Sequence, residues 1–145
     1  MGNTLIYYRE ATVADIPALA AIRLEVVENA LTDPTHVTRG MYHDYLTTGG
    51  KGWVCEVNRR IVGFSIAVVS SHTIWALFVH PEYEGRGIGK DLLSAAVDWL
   101  FEQGAEVISL STDPDTRADK LYQSEGWERG EHIANGEVRY RLVRT

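Results

Sequence analysis

Residues 77–93 have the sequence LFVHPEYEGRGIGKDLL, and this stretch decides the fold. An apolar run typical of a buried strand ends at a proline, a glycine-rich segment extends from Gly85 to Gly89, and an amphipathic helix begins within it. In such a strand-to-helix turn, backbone N–H groups with no side chains between them converge near the positive end of the helix dipole. The stretch therefore predicts an anion-binding cradle suited to a diphosphate, and Arg86 and Lys90 add local positive charge.

Two common phosphate-binding motifs do not fit this cradle. A nucleoside triphosphate loop needs a glycine where Glu84 stands, and it needs Ser or Thr where Asp91 follows Lys90. The dinucleotide fingerprint Gly-x-Gly-x-x-Gly is not met, because a single residue separates Gly87 from Gly89. A nucleotide hydrolase is therefore disfavoured, and a plain tight turn that caps a helix remains the alternative to a ligand cradle.

The flanking sequence predicts a single domain of alternating strands and helices. Strands are predicted at residues 5–9, 53–57, 61–69, 73–79 and 107–110, from Trp127 onward, and at 138–143. A first helix is predicted from the Thr12-x-x-Asp15 capping box to about Ala30, and a short second helix around Tyr42 and Tyr45. A third helix is predicted along residues 92–101, ending at Gly104, and a fourth from about Thr116 to Ser124. Tight turns are predicted at residues 58–60 and 135–136. The order β-α-α-β-β-β-α-β-α-β-β predicts an α/β (α+β) fold, with a mixed, mostly antiparallel central sheet of about six to seven strands flanked by helices.

The composition narrows the classes of partner. Of the 145 residues 45% are hydrophobic, and the formal net charge of −6 argues against a broad cationic surface for nucleic acid. The five histidines show no metal-ligand spacing, and Cys55 is the only cysteine, so no metal and no intrachain disulfide are predicted. A lone thiol also suits a reducing compartment.

The chain is predicted to be cytoplasmic, with no membrane partner. Its first residues, MGNTLI, have no basic region, no long apolar stretch and no myristoylation pattern. Residues 61–79 carry no formal charge over the length of a membrane span, but the polar segment SSHT at 70–73 interrupts them. Two buried strands joined by a turn explain this stretch better.

A second motif identifies the family that the chain resembles. Residues 115–127, DTRADKLYQSEGW, are similar to the signature Asn-x-x-Ala-x-x-Leu-Tyr-x-x-x-Gly-Phe of the GNAT superfamily of N-acetyltransferases. Residues 79–89 are similar to the acetyl-CoA loop of that family, Gln/Arg-x-x-Gly-x-Gly/Ala. Both motifs occur in the family's order within the expected string of elements, so the resemblance extends over residues 1–145 as a single domain.

The resemblance implies an enzyme that uses acetyl-CoA and transfers its acetyl group to a primary amine of a small molecule or protein by direct attack. It implies a pantetheine arm paired with the backbone of Leu77, Phe78 and Val79, and a thioester carbonyl polarised by the Val79 amide. Tyr122 is then expected beside the CoA sulfur, where it donates a hydrogen bond to the departing thiolate. The diphosphate is expected to bind the backbone amides of Gly85, Arg86, Gly87, Ile88, Gly89 and Lys90, and Asp115 to contact the cofactor. Relatives often form homodimers.

Two positions depart from the family's pattern. Glu84 stands where Gln or Arg is usual, and Asp115 stands where Asn is usual, so both add negative charge near a polyanionic cofactor. Backbone contacts with the cofactor should survive these changes, whereas the usual side-chain contacts are in doubt. Arg117 and Lys120 are candidates to compensate, although solvated charge on a helix face is the expectation for both.

The general base is not assigned by the sequence. An alkylammonium with a pKa near 10.4 is neutral only about 0.04% of the time at pH 7, so a base or a water chain must remove its proton. The strands beside the expected thioester position contain no acid. The candidate bases, each expected to be a surface, cap or turn residue, are Glu28, Asp44, His80 and Asp113.

Three further interpretations stay open. The residues expected to border the acceptor pocket, by analogy with similar proteins, are Glu25, Glu28, Asn29, Tyr42 and Tyr45. Cys55 alternates with Trp53 and Val57 on one face of a strand, which favours a packed, inert thiol over a nucleophile that takes the acetyl group first. The alternative to an enzyme is a CoA-binding sensor or interaction module without turnover.

Overall fold

The computed structural model describes residues 5–26, 38–134 and 136–145. The strands are β1 (Ile6–Glu10), β2 (Gly50–Val57), β3 (Arg60–Val68), β4 (Thr73–Val79), β5 (Val107–Thr112), β6 (Glu128–His132) and β7 (Val138–Val143), and the helices are α1 (Ile16–Val26), α2 (Arg39–Leu46), α3 (Ile88–Glu102) and α4 (Arg117–Ser124). Short 3-10 turns at Val13–Asp15 and Pro81–Tyr83 precede α1 and α3. The predicted order of elements and the α+β class are confirmed.

The strands form one seven-stranded sheet in the order β1-β2-β3-β4-β5-β7-β6. All neighbouring strands are antiparallel except β4 and β5, which are parallel. Residues 61–79 thus belong to two paired strands, as predicted. Among the residues described, no helix has both the length and the apolar character needed to cross a bilayer.

Helices cover both faces of the sheet. Leu19 of α1 and Tyr42 of α2 pack with Phe64 and Ile66 of β3, whereas Leu93 of α3 belongs to a second cluster. That second cluster also contains Ala67, Ala96, Leu100, Ile108, Tyr122, Trp127 and Tyr140. Because strand side chains alternate between faces, the two clusters lie on opposite sides of the sheet, with α3 and α4 packed in the second.

Local signals set most of the element boundaries. The Asp15 carboxylate accepts a hydrogen bond from the Thr12 N–H at 2.7 Å, as the capping box predicts. Gly104 ends α3 with a φ of 98°, in the left-handed region that favours glycine. β2 begins at Gly50, earlier than predicted, because residues 50–52 pair with β3 despite their polar composition. The predicted continuation of α1 to about Ala30 lies outside the described residues, as does the first residue of the predicted 135–136 turn.

Candidate active site

The two edges of β4 are paired very differently. Toward β3 the ladder reaches the end of the strand, where Val79 pairs with Gly63, whereas toward β5 the register contains only Thr73 and Ser109. Midway along β4, between Ile74 and Ala76, the pairing with β3 shifts by one residue and leaves Trp75 as an extra, bulged residue. Such a bulge bends a strand, so the second half of β4 has an unpaired edge on its β5 side.

Strand alternation determines which backbone groups face that edge. The His80 N–H donates to the Val62 carbonyl of β3 at 2.7 Å. Because backbone groups of successive residues point to opposite sides of a strand, the N–H and C=O of Phe78 also face β3, and those of Leu77 and Val79 face the unpaired edge. The expectation for Phe78 is therefore revised: of the three predicted residues, two present their backbone groups to the gap.

The glycine-rich segment directly follows this edge and forms an open turn into α3. Gly85 and Gly87 have φ values of 79° and 83°, and Gly87 is the N-cap of α3. A Cβ on Gly87 would meet no atom within 4 Å, so the space in front of the helix is open. The first N–H groups of a helix have no intrahelical acceptor, which leaves those of Ile88, Gly89 and Lys90 directed at this space. The cradle fits a diphosphate.

Ion pairs connect the cradle to α4. Arg117 Nε lies 2.8 Å from the Glu84 carboxylate, and Lys90 Nζ lies 3.9 Å from that of Glu125. The guanidinium of Arg86 instead lies 5.0 Å from the ring centre of Tyr83. Arg117 is exposed, as expected for solvated charge on a helix face, and it also pairs with Glu84, one of the two residues that depart from the family pattern.

Tyr122 is a residue of α4 whose side chain packs into the core. Its side chain is 4% exposed, and its ring centre lies 5.6 Å from that of Trp127 and 5.4 Å from that of Tyr140. Burial, followed by the proximity of Tyr140, raises the pKa of Tyr122. Its hydroxyl makes no hydrogen bond to the part of the chain that is described. The phenol therefore stays protonated near neutral pH and is available as a hydrogen-bond donor.

A buried carboxylate that the sequence analysis missed holds the start of α4. Asp119 is 3% exposed and accepts hydrogen bonds from the Asp115 N–H at 2.8 Å, from Arg129 Nε at 3.3 Å and from the Tyr140 hydroxyl. Burial opposes its ionisation, but these donors together hold the pKa of Asp119 well below its usual range. Asp115 is thereby held at a φ of 62°. The overlooked signal was the Thr116-x-x-Asp119 spacing, which repeats that of a capping box.

The described candidates for the base have structural roles. His80 Nδ1 accepts from the Glu82 N–H at 3.2 Å and holds the turn after β4. The Asp113 carbonyl accepts from the Thr116 hydroxyl at 2.8 Å before α4. The Asp44 side chain is 75% exposed on α2. These placements agree with the cap, turn and surface roles expected for them; Glu28 lies outside the described residues.

The residues expected at the acceptor pocket are only partly brought together. The rings of Tyr42 and Tyr45 pack on Trp75, with centres 5.2 and 4.9 Å away, directly behind the bulge of β4. Glu25 lines a separate cleft of about 390 Å³ with His80, between α1 and the β2–β3 turn. Asn29, like Glu28, lies outside the described residues. Cys55 is buried, as predicted for a packed thiol, and burial raises its pKa.

No metal centre accompanies this site in the structure as described. Residues 5–26, 38–134 and 136–145 contain no group of three or more His, Cys, Asp or Glu side chains that could hold a metal ion.

Comparisons with known proteins agree with the geometry. An uncharacterized N-acetyltransferase ycf52-like of Prochlorococcus marinus is 38% identical over 71 residues, which are 47% of this chain and 38% of that protein. The chain therefore spans less than two thirds of that relative's length. The aminoglycoside N(6')-acetyltransferase type 1 of Stenotrophomonas maltophilia is 28% identical over 86% of this chain and 88% of its own.

A solved structure shows the same fold over nearly the full length. The ribosomal-protein-alanine N-acetyltransferase of Brucella melitensis superposes with a TM-score of 0.75 at 24% identity, covering 95% of this chain and 99% of that one. The sequence model of the acetyltransferase (GNAT) family matches residues 18–127, which contain both the glycine cradle and Tyr122. The chain belongs to the acetyltransferase (GNAT) family.

Proposed function

We propose that the chain is an acetyl-CoA-dependent N-acetyltransferase that moves the acetyl group to a primary amine by direct attack. The observation that carries this proposal is the continuity between the unpaired edge of β4 and the glycine cradle at the start of α3. A ligand with a diphosphate at one end and an amide-bearing arm at the other matches the two features in that order. Free backbone groups on a strand edge are suited to bind such an extended arm.

The binding roles follow from the orientation of the backbone. The amides of residues 85–90 hold the diphosphate, and the N–H and C=O groups of Leu77 and Val79 pair with the arm. Asp115, whose N–H is tied to Asp119, contributes through the backbone conformation of its loop. Bound acetyl-CoA supplies the activated thioester carbonyl; the protein supplies position and hydrogen bonds.

Two donors act on the reacting atoms in this proposal. The Val79 N–H, which faces the gap, donates to the carbonyl oxygen as negative charge develops there. The Tyr122 hydroxyl donates to the sulfur as it leaves. Because burial raises the pKa of Tyr122, complete proton transfer to a thiolate is unfavourable, and a hydrogen bond is the stabilising interaction.

Proton removal from the acceptor occurs through water. The Nδ1 of His80 accepts a hydrogen bond in the turn after β4, and the Asp44 and Asp113 side chains are exposed, so none of the three is assigned as the base. Activity is then expected to rise with pH as the fraction of neutral amine grows.

The acceptor is proposed to be cationic, because the chain has a net charge of −6. Two similar proteins suggest two classes: one is named for an aminoglycoside, a small polyamine, and the other for a ribosomal protein's alanine. We also propose a cytoplasmic location, which the buried free thiol of Cys55 supports, and a homodimer, which the exposed apolar side chains of edge strand β1 support.

Thiol release from acetyl-CoA tests the proposal. The purified chain is mixed with acetyl-CoA and, separately, with an aminoglycoside, a peptide that begins with alanine, and free lysine. Turnover with at least one amine is expected, and its loss in Tyr122→Phe would support the assigned chemistry. Tight CoA binding without turnover on any amine would favour the sensor module, and no binding at millimolar CoA would contradict both functions.

A further inference from the structure

Arg117 occupies a position that helix stability does not explain. It is the first residue of α4, directly after the N-cap Thr116. The helix dipole places partial positive charge at this end, so a cation here is unfavourable. Its ion pair with Glu84 also contributes little to stability, because the Arg117 and Glu84 side chains are 68% and 28% exposed.

The ion pair instead places the guanidinium against the cradle. Arg117 Nη1 lies 4.0 Å from the position that a Cβ on Gly85 would take. Glu84 engages the Nε side of the guanidinium, so the far side of the group keeps its N–H donors. Within the described residues, Arg117 has no other ion-pair partner. Its remaining donors therefore flank the open turn that precedes α3.

Glu84, which departs from the family pattern, and Arg117 are thus joined as an ion pair beside the cradle. The family's acetyl-CoA loop has Gln or Arg where this chain has Glu84. A glutamate alone beside a diphosphate would repel it, but this glutamate fixes an arginine from another helix. An arginine held on one side can present two parallel donors to phosphate oxygens, which lysine cannot do.

We propose that Arg117 binds the diphosphate of coenzyme A, and that Glu84 positions it. Helix α4 then supplies across the cleft the donor group that the loop itself lacks. The inference rests on the proposed function for the identity of the ligand. Glu84 acts only through Arg117.

Binding affinity, measured by calorimetry, tests both roles. The decisive comparison is Glu84→Gln with the double variant Glu84→Gln/Arg117→Met, because the glutamate charge is absent from both. The double variant is expected to bind CoA and 3′-dephospho-CoA about tenfold more weakly than Glu84→Gln, as for loss of a charged hydrogen bond. Glu84→Gln/Lys120→Met carries the same charge change on an exposed residue of α4, and it should stay within about twofold of Glu84→Gln.

These measurements distinguish a direct contact between Arg117 and the diphosphate from a general effect of the net charge on binding. The contact with Arg117 would be overturned if Arg117→Met bound CoA like the unmodified chain and the double variant bound it like Glu84→Gln. A difference seen with CoA but not with 3′-dephospho-CoA would assign Arg117 to the 3′-phosphate instead.

Glu84→Ala removes the carboxylate without introducing the Gln that the family's loop carries. It should bind CoA more weakly than the unmodified chain, but it should not weaken binding further in the Arg117→Met variant; tighter binding by Glu84→Ala alone would overturn the positioning role. If the unmodified chain fails to bind CoA, the proposed function itself fails.

Discussion

Strand β4 pairs with β3 along its length, whereas it pairs with β5 only where Thr73 meets Ser109. The same residues supply both edges, because antiparallel alternation directs the backbone of Phe78 to β3 and that of Leu77 and Val79 to the gap. The bulge at Trp75 separates the start of β4, which pairs with both β3 and β5, from its second half, which pairs with β3 alone. The difference shows how a strand is anchored through one edge while the other keeps its donors and acceptors for a ligand.

Proline substitutions at Phe78 and Val79 are expected to show the largest difference between the two edges of β4. Phe78→Pro removes an N–H that faces β3, and it should lower the free energy of unfolding by about 3 kcal/mol or more. Val79→Pro removes an N–H that faces the gap, so the β3 ladder survives, while kcat should fall by roughly 10²–10³-fold through loss of the carbonyl's donor. Urea unfolding and thiol release measure the two effects. Equal destabilisation by both prolines would show that the edges are equivalent.

Tyr122→Phe tests the chemistry at the open edge without altering its backbone. We expect kcat to fall by about 10²-fold, with unchanged CoA affinity and no loss of stability, since the hydroxyl has no partner in the described chain. Because burial raises the pKa of Tyr122, its ionisation should not reduce kcat at moderately alkaline pH.

Tyr140→Phe is the matched control for Tyr122→Phe. The two rings pack together, but the Tyr140 hydroxyl donates to Asp119. Because this hydrogen bond is buried and its acceptor is charged, its loss should cost about 1.5–3 kcal/mol of stability and leave kcat within a few-fold. If Tyr140→Phe reduces kcat as strongly as Tyr122→Phe, the leaving-group role of Tyr122 is not specific.

Asp119→Asn tests how α4 is held against the site. The variant should lose about 1–3 kcal/mol of unfolding free energy at pH 7, because Tyr140, Arg129 and the Asp115 amide lose their charged acceptor. The folded-state pKa of Asp119 is depressed, so its contribution is complete above the ordinary value of 3.8 and is lost as pH falls below it. The gap between variant and unmodified chain should therefore be constant from pH 6 to 8 and narrow below about pH 4.

Chemical denaturation across this pH range checks the Asp119 prediction. Asp113→Asn is the control, because Asp113 is exposed and makes its structural contact through its carbonyl. That variant should change stability by less than about 0.5 kcal/mol. A gap for Asp119→Asn that persists unchanged at pH 3 would show that the carboxylate charge does not matter.

The sequence predicts those parts of the molecule that local patterns determine. The bounds of β4 and β7 match their predictions, because the continuous apolar run of β4 ends just before His80 and Pro81, and the alternating apolar residues of β7 end just before Arg144. The cradle was predicted because glycines at φ values near 80° are a local requirement of the turn. The same holds for the capping box at Thr12.

The rest depends on contacts between distant segments. The bulge at Trp75 exists only in the register of β3 with β4, so the sequence could not show that Phe78 faces the wrong way for a ligand. Arg117 has the local features of a solvated cation, and its partner Glu84 lies in another loop. Asp119 is polar on a short helix, and its burial follows from Tyr140 of β7 packing against it.

The two ends of α3 provide the finest test of whether the cradle belongs to the open edge of β4. Gly87 begins the helix and Gly104 follows it, with φ values of 83° and 98°, and a Cβ on either residue would meet no atom within 4 Å. Alanine should therefore cost about the same at both, roughly 1 kcal/mol of backbone strain. Only Gly87→Ala puts a methyl group at the mouth of the cradle.

Calorimetry with CoA separates the two ends. Gly87→Ala should weaken binding about tenfold, because the methyl group keeps the diphosphate from the first amides of α3, whereas Gly104→Ala should bind like the unmodified chain. Since the strain is matched, a difference in affinity reports the ligand and not the fold. Equal affinities would mean that the turn merely begins a helix, and the open edge of β4 would then need another partner to explain why it is unpaired.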